Sequence, residues 1–176
     1  LDSPTDYRLD RLKGYPVWFK PLGSFARSEM DNAFIRMTGG AEAKRTNIAV
    51  KGREVIIPSS AQGVARFEFT DLCAANLGAV DYLELARTFH TIFIDNIPVL
   101  SPERRNEAIR FVNLIDALYE HKVKLLASAE ANPSELYPLG DSAFEFRRTA
   151  SRLHEMQSED YFSLGHNSGA DMIEEA

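Results

Sequence analysis

The chain has 176 residues, a net charge of −6, 44% hydrophobic residues and 26% charged ones, a balance that fits a water-soluble globular chain of one domain or two small ones. The acidic balance argues against nucleic acid as a main partner, because phosphate backbones are held by clustered Lys and Arg, and the single cysteine, Cys73, excludes an internal disulfide. No apolar run approaches the roughly 20 residues that span a bilayer and no secretory-signal layout opens the sequence, so a cytoplasmic protein without a membrane span is expected.

Residues 7–12 alternate loosely before Gly14, Tyr15 and Pro16 and are predicted as a short strand followed by a breaker. That strand starts close to Leu1, which is not a methionine, so the chain is expected to be part of a longer protein. Over residues 24–37, Ala26, Met30, Ala33, Phe34 and Met37 recur at helical spacing, with Ser24 as the expected cap and Gly39 where a left-handed residue ends a helix. Residues 47–50 and 54–57 flank Lys51-Gly52 and predict a β-hairpin closed by Pro58, and residues 64–69 alternate as a third strand of a small antiparallel sheet. Asp71 is expected to cap a short helix to residue 76, and a second helix over 81–89 carries Tyr82, Leu85 and Phe89 on one stripe.

The pattern then changes. Residues 91–94 make a short apolar strand ending at Asp95, Ser101-Pro102 opens a helix to about His121, and residues 123–127 make a second apolar strand broken only by Lys124. The helix stripe of Ile109, Val112, Ile115, Leu118 and Tyr119 would bury against a sheet, so this strand-helix-strand unit is predicted to be parallel. After Asn132-Pro133 a last helix is predicted over 142–157, with Phe146, Thr149, Ala150 and Leu153 facing inward and Arg148 and Arg152 sharing a face. Residues 163–176 are small, polar and acidic and are expected to fray as a tail. The fold class is therefore α/β, a parallel unit plus a small antiparallel hairpin sheet.

Two constellations carry chemistry. Asp95 and Ser128 fall at the carboxyl ends of the two parallel strands, where ligands bind in open α/β sheets and where an acid could hold the Mg²⁺ of a nucleotide. Against that, Asn96 stands where a catalytic Glu often follows, no G-x-x-x-x-G-K-[ST] occurs, and Asp95 could simply cap the loop before Pro98 while Ser128 satisfies a strand end. A receiver-like phosphoacceptor at Asp95 is poorer, since no second acid accompanies it. Arg147, Arg148 and Arg152 form the other constellation: on a rigid helix an arginine fork can reach a neighbour's phosphate, while periodicity alone favours a solvated face with Glu145 and Glu155 as partners. His90, His121, His154 and His166 show no metal-ligand spacing with Cys73, so no metal site is expected, and Cys73 beside Leu72 and Ala74 reads as a core residue.

Specific strings then add to this reading. Gly63-Val64-Ala65-Arg66-Phe67, Leu77-Gly78-Ala79-Val80-Asp81-Tyr82-Leu83, Phe89-His90-Thr91, Phe111-Val112-Asn113-Leu114-Ile115-Asp116, Ser128-Ala129-Glu130 and Phe146-Arg147-Arg148-Thr149-Ala150-Ser151-Arg152-Leu153-His154-Glu155-Met156 resemble, in this order, the C-terminal half of the ZapE/AFG-like AAA+ ATPases. The resemblance covers roughly residues 5–162, makes residues 1–162 the expected C-terminal part of such a protein with 163–176 as the tail, and implies a P-loop NTPase-related fold. It implies an ATPase acting on protein partners, in bacteria at the cell-division ring and in mitochondria in inner-membrane quality control. ATP and Mg²⁺ would belong to the full-length protein, a homo-oligomer, whose preceding portion carries the phosphate loop; the fragment alone would bind neither. Within the F-x-R-x-x-S-R-L motif, Arg148 and Arg152 correspond to arginine fingers or nucleotide sensors. The alternative from another class is a non-catalytic protein-interaction module that uses the hairpin as its partner surface.

Overall fold

The computed structural model describes residues 15–138 and 143–167; the predicted strand over 7–12, Ser142 at the predicted helix start and the last nine residues of the expected tail lie outside the described residues. Among the described residues, β1 (Trp18–Phe19), β2 (Lys44–Val50), β3 (Arg53–Ala61), β4 (Val64–Glu68), β5 (Thr91–Ile97) and β6 (Lys124–Ala129) form one sheet in the order β1-β6-β5-β4-β3-β2. The helices are α1 (Ser24–Thr38), α2 (Ala79–Thr88), α3 (Arg105–Glu120), α4 (Ala143–Glu155) and α5 (Glu159–Phe162). The α/β class holds, and β4 is the strand that unites its two halves. It pairs antiparallel with β3 and parallel with β5, so the hairpin sheet and the parallel β1-β6-β5-β4 set share one hydrogen-bonded ladder.

The β2–β3 turn forms where it is expected. Lys51 and Gly52 both have positive φ, 47° and 80°, as a two-residue type I′ hairpin turn requires. Pro58, by contrast, does not close β3, which runs on to Ala61. The β2–β3 register slips between Lys44 and Thr46, opposite the Ile57-to-Ser60 stretch, and a bulge tolerates a residue with no N–H to donate.

Three local expectations change. Gly23 takes the N-cap position of α1 and Ser24 lies inside the helix with no side-chain cap bond, whereas Gly39 ends it at φ 67° as expected. Residues 70–74 wind as a π-turn, and the Asp71 carboxylate accepts from the Glu68 N–H at 2.8 Å instead of capping a helix beyond it. At α2 the capping acid is Asp81, which accepts the Gly78 N–H at 2.8 Å.

Packing places α1 over one face of the sheet, where Phe34 meets Phe93 of β5 edge-to-face at 5.2 Å. The buried stripe of α3 is Ala108, Phe111, Leu114, Ile115 and Leu118, rotated from the predicted one: Ile109 is 40% exposed and Val112 half-buried. Phe111 decides the rotation, because its ring lies between Phe69 at 5.9 Å and Phe146 at 6.0 Å and buries more apolar area than Ile109 could. Lys124, the polar interruption in β6, is 1% exposed. Its Nζ donates to the carbonyls of Tyr161 at 2.8 Å, Leu164 at 2.7 Å and Lys122 at 3.3 Å, and hydrogen bonds of this kind make a buried ammonium tolerable. The expected tail is therefore held as far as residue 167: Leu164 by Lys124, His166 through Nε2 on the Ala86 carbonyl at 2.7 Å, and Asn167 through its N–H on the His121 carbonyl at 2.9 Å. Cys73 is a core residue as read, its thiol pushed up by burial and, secondarily, by Glu107.

Candidate functional site

Helix α4 presents three stripes, and helical periodicity assigns each a different neighbour. Phe146, Thr149 and Leu153 are buried, with Phe146 stacked on Tyr137 at 5.2 Å and the Thr149 hydroxyl donating back to the Glu145 carbonyl at 3.2 Å. Arg148, Arg152 and Glu155 face α3. There the Asp116 carboxylate accepts from both arginines, from Arg148 Nη2 at 3.2 Å on one oxygen and from Arg152 Nη1 on the other. The Arg152 guanidinium also lies 4.9 Å from the centre of the Tyr119 ring, and the Tyr119 hydroxyl donates to Glu155 at 3.0 Å, a bond that raises the phenol's pKa. The partner of the two arginines is thus Asp116, and Glu155 is engaged by Tyr119.

The two arginines of this seam differ in exposure. Two guanidinium groups meet one carboxylate, and the Arg148 side chain is 52% exposed while that of Arg152 is 25% exposed. Arg148 is held at its base of contact yet keeps donors turned to solvent, so it can meet an external oxyanion; Arg152, stacked and more enclosed, orients the seam.

Asp95 and Ser128 are brought near one another but not into an open site. The β5–β6 register slips between Ile94 and Ile97, and Asn96 at that slip has φ 63°. Its N–H donates to Ser128 Oγ at 2.8 Å and its side-chain amide to Glu68 at 2.8 Å. Asp95 accepts from Arg66 Nε at 2.7 Å and from Nη2 at 3.0 Å, and Arg66 reaches Asp31 of α1 at 2.9 Å. Burial pulls the Arg66 guanidinium down in pKa, but hydrogen bonds and charge from Asp95 and then Asp31 outweigh it, and the net direction is up. Asp95 is 4% and Ser128 2% exposed. A Mg²⁺ ion needs carboxylate oxygens free to face it, and both Asp95 oxygens face a guanidinium, so these two residues fit the strand-end reading and do not fit a metal-nucleotide site. No hydrogen bond or ion pair among the described residues joins them to Arg148 or Arg152.

The third stripe, Arg147, Ser151 and His154, was only partly legible. It lines a cleft of about 650 Å³ against Asn132 and Ser134, which follow β6. The i, i+4, i+7 spacing of these polar residues was the available signal. Among the described residues no three His, Cys, Asp or Glu side chains gather as a metal-binding group, and no helix is long and apolar enough to cross a membrane.

The family model described as AFG1-like ATPase matches residues 1–164. The chain is 35% identical over 169 residues to the cell division protein ZapE of Escherichia coli strain K12, covering 96% of this chain and 45% of that protein. It is 34% identical over 204 residues to lactation elevated protein 1 homolog B of Danio rerio, covering 96% of this chain and 40% of that protein. An uncharacterized protein of Schizosaccharomyces pombe is 35% identical over 144 residues, covering 81% and 32%. The chain thus spans less than half the length of these relatives. No solved structure matches. A family match over nearly the whole chain, together with identities of this size, means that the chain belongs to the AFG1-like ATPase family.

Proposed function

We propose that residues 1–162 are the C-terminal portion of a longer AAA+ ATPase and that Arg148 lends its positive charge to a nucleotide gripped by another part of that protein or by a neighbouring copy. The observation that supports this most is the Asp116 seam, where one carboxylate holds two arginines and leaves Arg148 half exposed. A preorganised cation of this kind stabilises charge that develops on a transferred phosphoryl group. Arg152 is a positioning residue in this reading. The phosphate loop and the Mg²⁺ ligands come from outside this chain, because its sequence has no G-x-x-x-x-G-K-[ST] and Asp95 is committed to Arg66. The Escherichia coli relative is named for cell division; action on protein clients at the cytoplasmic division ring is the corresponding proposal for this protein.

The test is ATP turnover by the whole protein to which this chain belongs, with Arg148→Ala and Arg148→Lys. Arg148→Ala is expected to lower kcat by about 10³-fold, the range seen for supplied arginines, and Lys to restore little of it, since a point charge lacks the planar fork. Turnover unchanged in Arg148→Ala removes Arg148 from the site.

A further inference from the structure

The arginine seam between α3 and α4 is open to water. The Asp116 side chain is 32% exposed and that of Arg148 52%, and ion pairs this exposed hold a geometry weakly. A cation that meets a transferred phosphoryl group needs neighbours that lock its rotamer. Arg152, which shares Asp116 with Arg148, finds such neighbours in the segment that follows α4, reached across Tyr119.

Four side chains form a column from the sheet to the seam. Lys124 of β6 is buried, and its Nζ lies 4.6 Å from the centre of the Tyr161 ring of α5. Tyr161, also buried, stacks on Tyr119 of α3 with ring centres 6.1 Å and planes 15° apart. The Arg152 guanidinium lies 4.9 Å from the centre of the Tyr119 ring. The Tyr161 end is fixed at three points. Its hydroxyl donates to the Val123 carbonyl at 2.7 Å, its backbone carbonyl accepts from Lys124 Nζ at 2.8 Å, and its N–H donates to Ser158 Oγ, the N-cap of α5, at 3.2 Å. An ammonium is a costly group to bury in a strand, and here it ties Tyr161 and Leu164, both beyond α4, to the base of β6. Tyr119 is held in turn by the Tyr161 ring on its face and by Glu155 of α4 on its hydroxyl at 3.0 Å.

We propose that Tyr161 and Tyr119 are positioning residues for the arginine seam: the segment from α5 to residue 167 is a latch whose aromatic column sets Arg152 against Asp116 and, through Asp116, aims Arg148. The aiming of Arg148 rests on its proposed role at a nucleotide, whereas the placement of Arg152 by the column does not.

Two measurements separate these. In NMR spectra of the 176-residue chain, the Tyr119 ring current shifts the Arg152 side-chain protons upfield. Tyr161 acts on Arg152 across Tyr119, so Tyr161→Leu is expected to abolish that shift and Tyr161→Phe, which keeps the ring, to preserve it. Tyr161→Met, ringless but of similar reach, is the second variant should Leu unfold the chain. An unchanged Arg152 shift in the ringless variants would overturn the proposal. In the whole protein, Tyr119→Leu is expected to lower kcat for ATP about tenfold with KM little changed, less than the loss of order 10²-fold that a 1 Å misplacement causes, and Tyr119→Phe to restore it. Added to Arg148→Ala, Tyr119→Leu is expected to cost nothing further, because no acting arginine is left to aim. The same tenfold loss in the Arg148→Ala background, or unchanged kcat in Tyr119→Leu where Arg148→Ala lowers it, would also overturn the proposal. Turnover unchanged in Arg148→Ala would refute the role of Arg148 and its aiming, with the Arg152 shift still deciding whether the column holds the seam.

Discussion

Arg148 and Arg152 share one carboxylate, yet their surroundings assign them different work. Arg152 is three-quarters enclosed, bonded to Asp116 and stacked on Tyr119, whereas Arg148 meets Asp116 at 3.2 Å with half its side chain in water. Exposed ion pairs stabilise little, and a guanidinium on an aromatic face adds a modest amount. Arg152→Ala is therefore expected to lower unfolding stability by about 1 kcal/mol and Arg148→Ala by less than about 0.5 kcal/mol in denaturant titrations; the reverse order would remove the distinction between a positioning and an acting arginine. Periodicity in the sequence revealed that these two arginines share a face. It could not reveal Asp116 as their partner, because that pairing spans 32 and 36 residues and depends on how α3 packs beside α4. Asp95 and Ser128 were legible as strand-end neighbours, while the Arg66 fork that occupies Asp95 comes from another strand and left no local trace.

Among the elements, the tight turns were the most legible and the stripes the least. Lys51-Gly52 is a local signal, read directly from residue types that tolerate positive φ. The rotation of α3 and the passage of β3 through Pro58 depend on tertiary packing, which overrides periodicity once Phe111 finds its aromatic neighbours. The turn joining β3 to β4 gives a sharp contrast with the first. Gly52 has φ 80° with open space where a Cβ would stand, while Gly63 has φ 77° and its Cβ would come within 2.6 Å of the His90 ring, which also bonds the Gln62 carbonyl at 2.9 Å. Gly52→Ala is expected to cost about 1 kcal/mol from backbone strain alone, and Gly63→Ala about 2–3 kcal/mol because the ring must also move. Thermal or denaturant unfolding of both variants checks this; equal losses would mean that His90 yields freely.

For the molecule as a whole, β4 joins what the sequence offered as two units. Its alternation pointed to a half-buried antiparallel strand, but it is parallel to β5 on its other side, a long-range pairing that no local window contains. Family membership was legible because many short strings recur in order, whereas physics alone read only an α/β domain. Helices α3 and α4 pack on each other, the seam between them presents Arg148, and the chain contains no phosphate loop of its own. The most direct measurement is Mg²⁺-dependent ATP hydrolysis by the purified chain. The expected result is no turnover above background at any ATP concentration; steady hydrolysis that is abolished by chelating Mg²⁺ would contradict the proposal that the phosphate grip lies outside these residues.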